Sequence, residues 1–157
     1  PGHGVKMARQ LATYTSASAR GTAPSGPYGR AMRGRSQAGW WGVVLEAPDA
    51  RALARFYAEL LGWSIAKDEP SWATVAPPSG VAYLAFQTSP QYIRPVWPAA
   101  DGQQQMMMHL DLEVDDLEAA VADALALGAA LAAHQPQDDV RVLLDPAGHP
   151  FCLYLGG

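Results

Sequence analysis

From Trp40 onward the chain alternates and then turns helical, and it does so twice. In "WWGVVLEAPD" Trp41, Val43, Leu45 and Ala47 fall on one face, and Trp40, Gly42, Val44 and Glu46 on the other, the period of a β-strand. Pro48 and Asp49 then open "DARALARFYAELLGW", where Leu53, Phe56, Tyr57, Leu60 and Leu61 recur at helical spacing. Asp49 is the predicted N-cap, and Gly62 ends the helix. Three predicted strands follow: "SIAK", "WATVA" and, after a "PPSG" turn, "VAYLAFQTS".

The order then repeats. "MMMHLDLEVD" alternates, with Met108, Leu110, Leu112 and Val114 on one face and Met107, His109, Asp111 and Glu113 on the other. "DLEAAVADALALGA" predicts a second helix whose stripe is Leu117, Ala120, Val121, Ala124 and Leu127, ending at Gly128. "ALAAHQP", "VRVLLDP" and "FCLYL" supply three more strands, the last pair joined by the turn-forming "DPAGHP". "LEAPD" at 45–49 matches "LEVDD" at 112–116. The pattern predicts an α+β fold of two βαβββ modules at 40–90 and 105–157, joined by a Pro- and Gln-rich linker at 91–104.

If each helix covers one sheet face, the other faces form a concave cleft. Parity places Gly42, Val44, Glu46, Tyr83, Gln87, Met107, His109, Asp111, Cys152 and Tyr154 on its wall. Trp40 or Trp97 could stack on a flat ligand there. The linker's "YIRPVWP" puts Arg94 and Trp97 at a cleft edge or a dimer contact. His149 reads as a turn residue with access to the cleft mouth.

Composition changes this picture at one end only. Residues 1–39 carry six Lys or Arg and no acid. The remaining 118 residues hold five basic and all fifteen acidic side chains, a net of −10 within a chain total of −4. The lead, rich in Gly, Ser and Ala, shows no sustained period, so a tail, an extension ahead of a later start such as Met32, or a transit peptide is expected. The acidic body would repel phosphates, which argues against nucleic-acid binding. No apolar run approaches the roughly 18 residues of a membrane span. A lone cysteine, Cys152, excludes an intramolecular disulfide and fits a reducing, cytoplasmic setting.

The segments "VVLEAPDARALARFYAELLGW", "HLDLEVDDLEAAVADALALGA" and "VLLDPAGHPFCLYL" resemble the vicinal oxygen chelate superfamily, which includes glyoxalase I, bleomycin-resistance proteins and extradiol dioxygenases. The likeness is strongest to its glyoxalase-like domain group. Metal-using members of the superfamily carry ligands on the first, fourth, fifth and eighth strands. Carried over, these positions fall on Gly42, near Gln87, on His109 and on Cys152.

One expected position of four thus keeps an unambiguous ligand, His109. No carboxylate occupies either expected Glu position, which argues against Mg²⁺ or Mn²⁺. No cofactor is expected; a soft divalent metal such as Zn²⁺ would need His109 and Cys152 to converge, with Asp111 or Gln87 as a third donor.

Two functions follow. In the first, a homodimer binds a small organic molecule in an apolar, aromatic-lined cleft whose metal site is degenerate. In the second, a metal-dependent lyase, isomerase or dioxygenase uses His109. Cys152 is a candidate nucleophile if His109 lowers its pKa. Its alternative is a small packed hydrophobe.

Overall fold

The structure, a computed structural model, describes Ser36 and residues 39–156. The basic lead predicted for 1–39 otherwise lies outside the described residues. The elements run β1 (Trp41–Ala47), α1 (Ala50–Leu61), β2 (Ser64–Glu69), β3 (Trp72–Ala76) and β4 (Ala82–Thr88). After the linker come β5 (Leu110–Val114), α2 (Leu117–Ala126), β6 (Ala130–Leu131), β7 (Val140–Leu144) and β8 (Pro150–Leu155). They form two four-stranded sheets ordered β1-β4-β3-β2 and β5-β8-β7-β6. Each sheet begins with a parallel pair, β1 with β4 and β5 with β8, and is otherwise antiparallel. The predicted α+β, two-module architecture is the one observed.

Both helices begin as the sequence requires. The Asp49 carboxylate accepts from the backbone N–H of Arg51 and Ala52, and Asp116 accepts from Ala119, satisfying donors that the first turn leaves open. Gly62 closes α1 in the left-handed conformation (φ 63°), where a side chain would be strained.

One apolar cluster spans the two modules. Leu53, Phe56 and Tyr57 of α1 and Phe86 of β4 share it with Leu143, Phe151 and Leu153. Tyr57 stacks on Phe86 at 5.4 Å, while Phe56 and Tyr57 both meet the Phe151 ring edge-on, at 6.1 and 6.4 Å. Val43, Leu45, Leu110 and Leu112 pack against the same cluster, as the alternation predicts.

Three local expectations are corrected. Trp41 shares parity with Val43 but, at the strand's first position, is 55% exposed. β6 is only Ala130–Leu131 rather than the whole of "ALAAHQP". β5 begins at Leu110 instead of Met106. Met107 has φ 58°, and the Met108 N–H bonds back to the Met106 carbonyl at 2.6 Å, so the chain turns tightly before the strand starts. Alternation therefore does not extend back to Met107.

Candidate functional site

Two groups of chemistry-bearing residues meet at His109. The first follows from sheet register. Asp111 pairs with Cys152 across β5 and β8, so their side chains share a face. His109, two residues before Asp111, brings Nε2 to 3.2 Å from Asp111 Oδ1. Donor atoms of His109, Asp111 and Cys152 all lie within 4.8 Å of one another. Burial, the Asp111 charge and a hydrogen bond to Asp111 push the Cys152 thiol up to about 11. At neutral pH it is a protonated donor to the carboxylate and a poor nucleophile.

Nitrogen, oxygen and sulfur donors together suit a borderline-soft cation such as Zn²⁺, which would displace the thiol proton. They do not make the four-strand ligand set of the metal-using relatives. A Cβ built on Gly42 would lie 2.5 Å from the Tyr83 ring, so that ring fills the place where a first-strand ligand would begin. The fourth-strand position also differs from expectation. Val44, 67 residues before Asp111, pairs with Ala85, whereas Gln87 pairs with Glu46. Ala85, buried and without a donor, is thus the β4 counterpart of Cys152. The first module contributes no metal ligand at these positions, and the His/Asp/Cys group stands on the second alone.

The second group surrounds a cavity of about 370 Å³ between β1 and β5, edge strands that belong to separate sheets. Val43–Glu46 form one wall, and Met108, His109 and Leu110 form the other. Linker residues, among them Tyr92, Ile93, Met106 and Met107, complete it with His149 and Pro150. Of the residues that parity placed on the cleft, Val44, Glu46, Met107 and His109 are on this wall. Trp40, Tyr83, Gln87, Asp111, Cys152 and Tyr154 are not. Trp97 donates to the His134 carbonyl at 3.2 Å, and Arg94 to the Pro146 carbonyl at 3.1 Å, so both serve the loops around the cavity.

His149 holds a more connected position than a turn residue needs. Its Nδ1 lies 2.8 Å from Asp145 Oδ2, and the Asp145 side chain is fully buried. The same carboxylate accepts from Tyr57 Oη at 3.0 Å and from the N–H groups of Gly148 and His149 at 2.7 and 2.9 Å. Tyr92 Oη lies 3.3 Å from His149 Nε2 and donates to the Ala147 carbonyl at 2.9 Å. Burial, with the Asp145 charge, pushes the Tyr92 phenol up to about 12, so it stays neutral. The signals for this cluster were an aromatic in a Pro-rich linker and a His in a turn, neither of which periodicity can place.

Paired βαβββ modules, with a His-led fifth strand on the open face of the second, define a protein of the vicinal oxygen chelate type. The family profile described as "Glyoxalase-like domain" matches residues 42–154, and the chain belongs to that family. Among solved structures, a glyoxalase/bleomycin resistance protein/dioxygenase family enzyme from Burkholderia phytofirmans PsJN is 19% identical, covering 73% of this chain and 95% of its own at a TM-score of 0.52. A glyoxalase-related enzyme from Fulvimarina pelagi is 20% identical, covering 73% and 86% at 0.54. The fosfomycin resistance protein FosX from Mesorhizobium loti is 13% identical, covering 76% of this chain and 92% of its own at 0.53. At these identities the likeness is one of fold. No curated protein matches the chain.

Proposed function

We propose that the chain binds a small organic molecule in the cavity between β1 and β5, as a glyoxalase/bleomycin-resistance-like protein without the relatives' full metal site. The observation that carries this reading is the cavity itself. Its volume of about 370 Å³ suits a small ligand. Val44, Ile93 and Met106–Met108 offer apolar, adaptable contact, and Tyr92, His109 and His149 offer a few polar groups. Trp41, Ile93, Met107 and Met108 are exposed apolar side chains that support a homodimer, and the lone thiol supports a cytoplasmic setting. No helix among the described residues is long and apolar enough to cross a membrane.

Methionine-methyl NMR tests the binding reading. A varied panel of small aromatic and amphiphilic compounds should contain members that shift the Met106–Met108 signals, with Val44→Trp blocking the effect. Silence of those methyls across the panel would remove the proposal. Light scattering on purified protein tests the dimer, which a monomeric mass would overturn.

A second reading, a metal-using lyase, isomerase or dioxygenase, is favoured by one observation, the convergence of His109, Asp111 and Cys152. Zn²⁺ titration of metal-free protein decides it. Stoichiometric binding lost in His109→Ala and Cys152→Ala supports a metal centre, and no binding above that of the double variant excludes it.

A further inference from the structure

Outside the His109 group, the described residues place one more titratable cluster at the cavity: Asp145, His149 and Tyr92. The Asp145 side chain already accepts from Tyr57 Oη and from two backbone N–H groups, and in this acceptor role it assigns His149 Nδ1 as the donor in their 2.8 Å contact. In the neutral imidazole this leaves the lone pair on Nε2. Tyr92 has a single phenolic proton and directs it to the Ala147 carbonyl at 2.9 Å, compared with 3.3 Å to Nε2. Nε2 is therefore an acceptor on the cavity wall with no strong donor among the described residues. The His149 side chain is only 13% exposed, so bulk water has limited access to it.

We propose that His149 is the proton acceptor for an acidic hydroxyl on the ligand, and that the cavity takes weakly acidic phenols or enols with an apolar body. The inference rests on the cavity being a ligand site. In the step, the ligand O–H bond breaks, its electron pair stays on oxygen, and the proton forms an N–H bond at Nε2. The product is an oxyanion beside an imidazolium, and no other reactant is consumed. Asp145 fixes the ring orientation and offsets the new charge, the part a buried carboxylate plays beside a base histidine. Tyr92 remains a neutral phenol and can turn its proton toward the oxyanion.

The surrounding charges set the balance. The charged groups around the ring are Asp145, bonded to Nδ1, Glu46 on the β1 wall, and Arg94 from the linker, held on the Pro146 carbonyl. His109 on the β5 side supplies no fixed negative charge, and Tyr57 stays protonated on Asp145. Apolar neighbours Val44, Met107 and Met108 accept the rest of the ligand.

4-Nitrophenol is the probe, because its ionised form absorbs at longer wavelength than the neutral one. It is mixed with excess full-length protein at a pH where the free phenol is protonated, and 4-nitroanisole, which lacks the proton, is the control. Wild-type protein should bind both and raise the phenolate band of the first. His149→Asn and His149→Gln should abolish the band and weaken nitrophenol binding about tenfold, leaving nitroanisole unchanged. Tyr92→Phe, which removes a donor to the oxyanion, should weaken the band without abolishing it. Circular dichroism confirms that the variants are folded.

A bound but neutral nitrophenol, or a phenolate band surviving in both His149 variants, would overturn the proton-acceptor role and leave cavity binding standing. No nitrophenol binding by wild type, with other panel members still shifting the Met106–Met108 methyls, would overturn the ligand class. No shift from any compound would overturn the cavity reading and this inference together.

Discussion

Tyr57 of α1 donates a 3.0 Å hydrogen bond to Asp145, a fully buried carboxylate 88 residues further along the chain. The bond crosses from the first module to the second. Tyr57→Phe removes that donor while keeping the ring contacts with Phe86 and Phe151. The expected cost is about 1–3 kcal/mol, because a buried acceptor loses a partner. Urea denaturation should show it as a lower midpoint with an unchanged slope.

Stability should fall on the alkaline side. The folded state pushes Cys152 from 9.0 up to about 11 and Tyr92 from 10.0 up to about 12, and it raises Tyr57 as well. Groups with raised values bind protons more tightly when folded. Their contribution is complete below about pH 9 and is lost as the pH rises through the folded values. Denaturation midpoints measured from pH 7 to 11 should be flat at first and then decline. A midpoint that rises above pH 9 would contradict the burial of these groups.

Asp111 contributes to the low reactivity of Cys152. Burial acts first, and the Asp111 charge and hydrogen bond add to it, all holding the thiol protonated. Iodoacetamide should modify wild-type protein slowly at pH 8, and Asp111→Asn should react several-fold faster through its larger thiolate fraction. Equal rates in the two proteins would show that burial alone protects the thiol.

Gly42 and Tyr83 should be coupled. Gly42→Ala places a methyl group 2.5 Å from the Tyr83 ring, and displacing that ring should cost about 1–3 kcal/mol. In Tyr83→Ala the same change should cost much less. A double-mutant cycle measures the difference, and additive effects would mean that the ring moves freely.

The two helix caps offer a calibration. Asp49 binds two backbone N–H groups of α1. Asp49→Ala should cost about 0.5–2 kcal/mol, read from thermal melts.

The frame was largely legible in the sequence because it depends on period. Val43, Leu45, Leu110 and Leu112 face the core as their alternation requires, and Asp49, Gly62 and Asp116 mark the helix ends. The site was less legible because it depends on seams and turns. A left-handed Met107 breaks the parity that had carried His109 and Met107 together. Strand register replaced Gln87 by Ala85 as the partner position of the metal-site comparison. Tyr92 and His149 reach the cavity from a linker and a turn, where no repeat announces a direction. Of the proposed metal group, sequence placed Asp111 and Cys152 on one face, but only pairing across β5 and β8 brought them side by side.

The aromatic cluster shared by Phe56, Tyr57 and Phe151 also bears on how such a duplicated chain can diversify. Each half supplies part of the other's interior, so neither is free to drift into an independent protein. The exposed cavity positions Val44, Met107 and Met108 carry no such obligation. Sequence change is therefore channelled to the seam, where a new side chain alters what is held without disturbing what holds it.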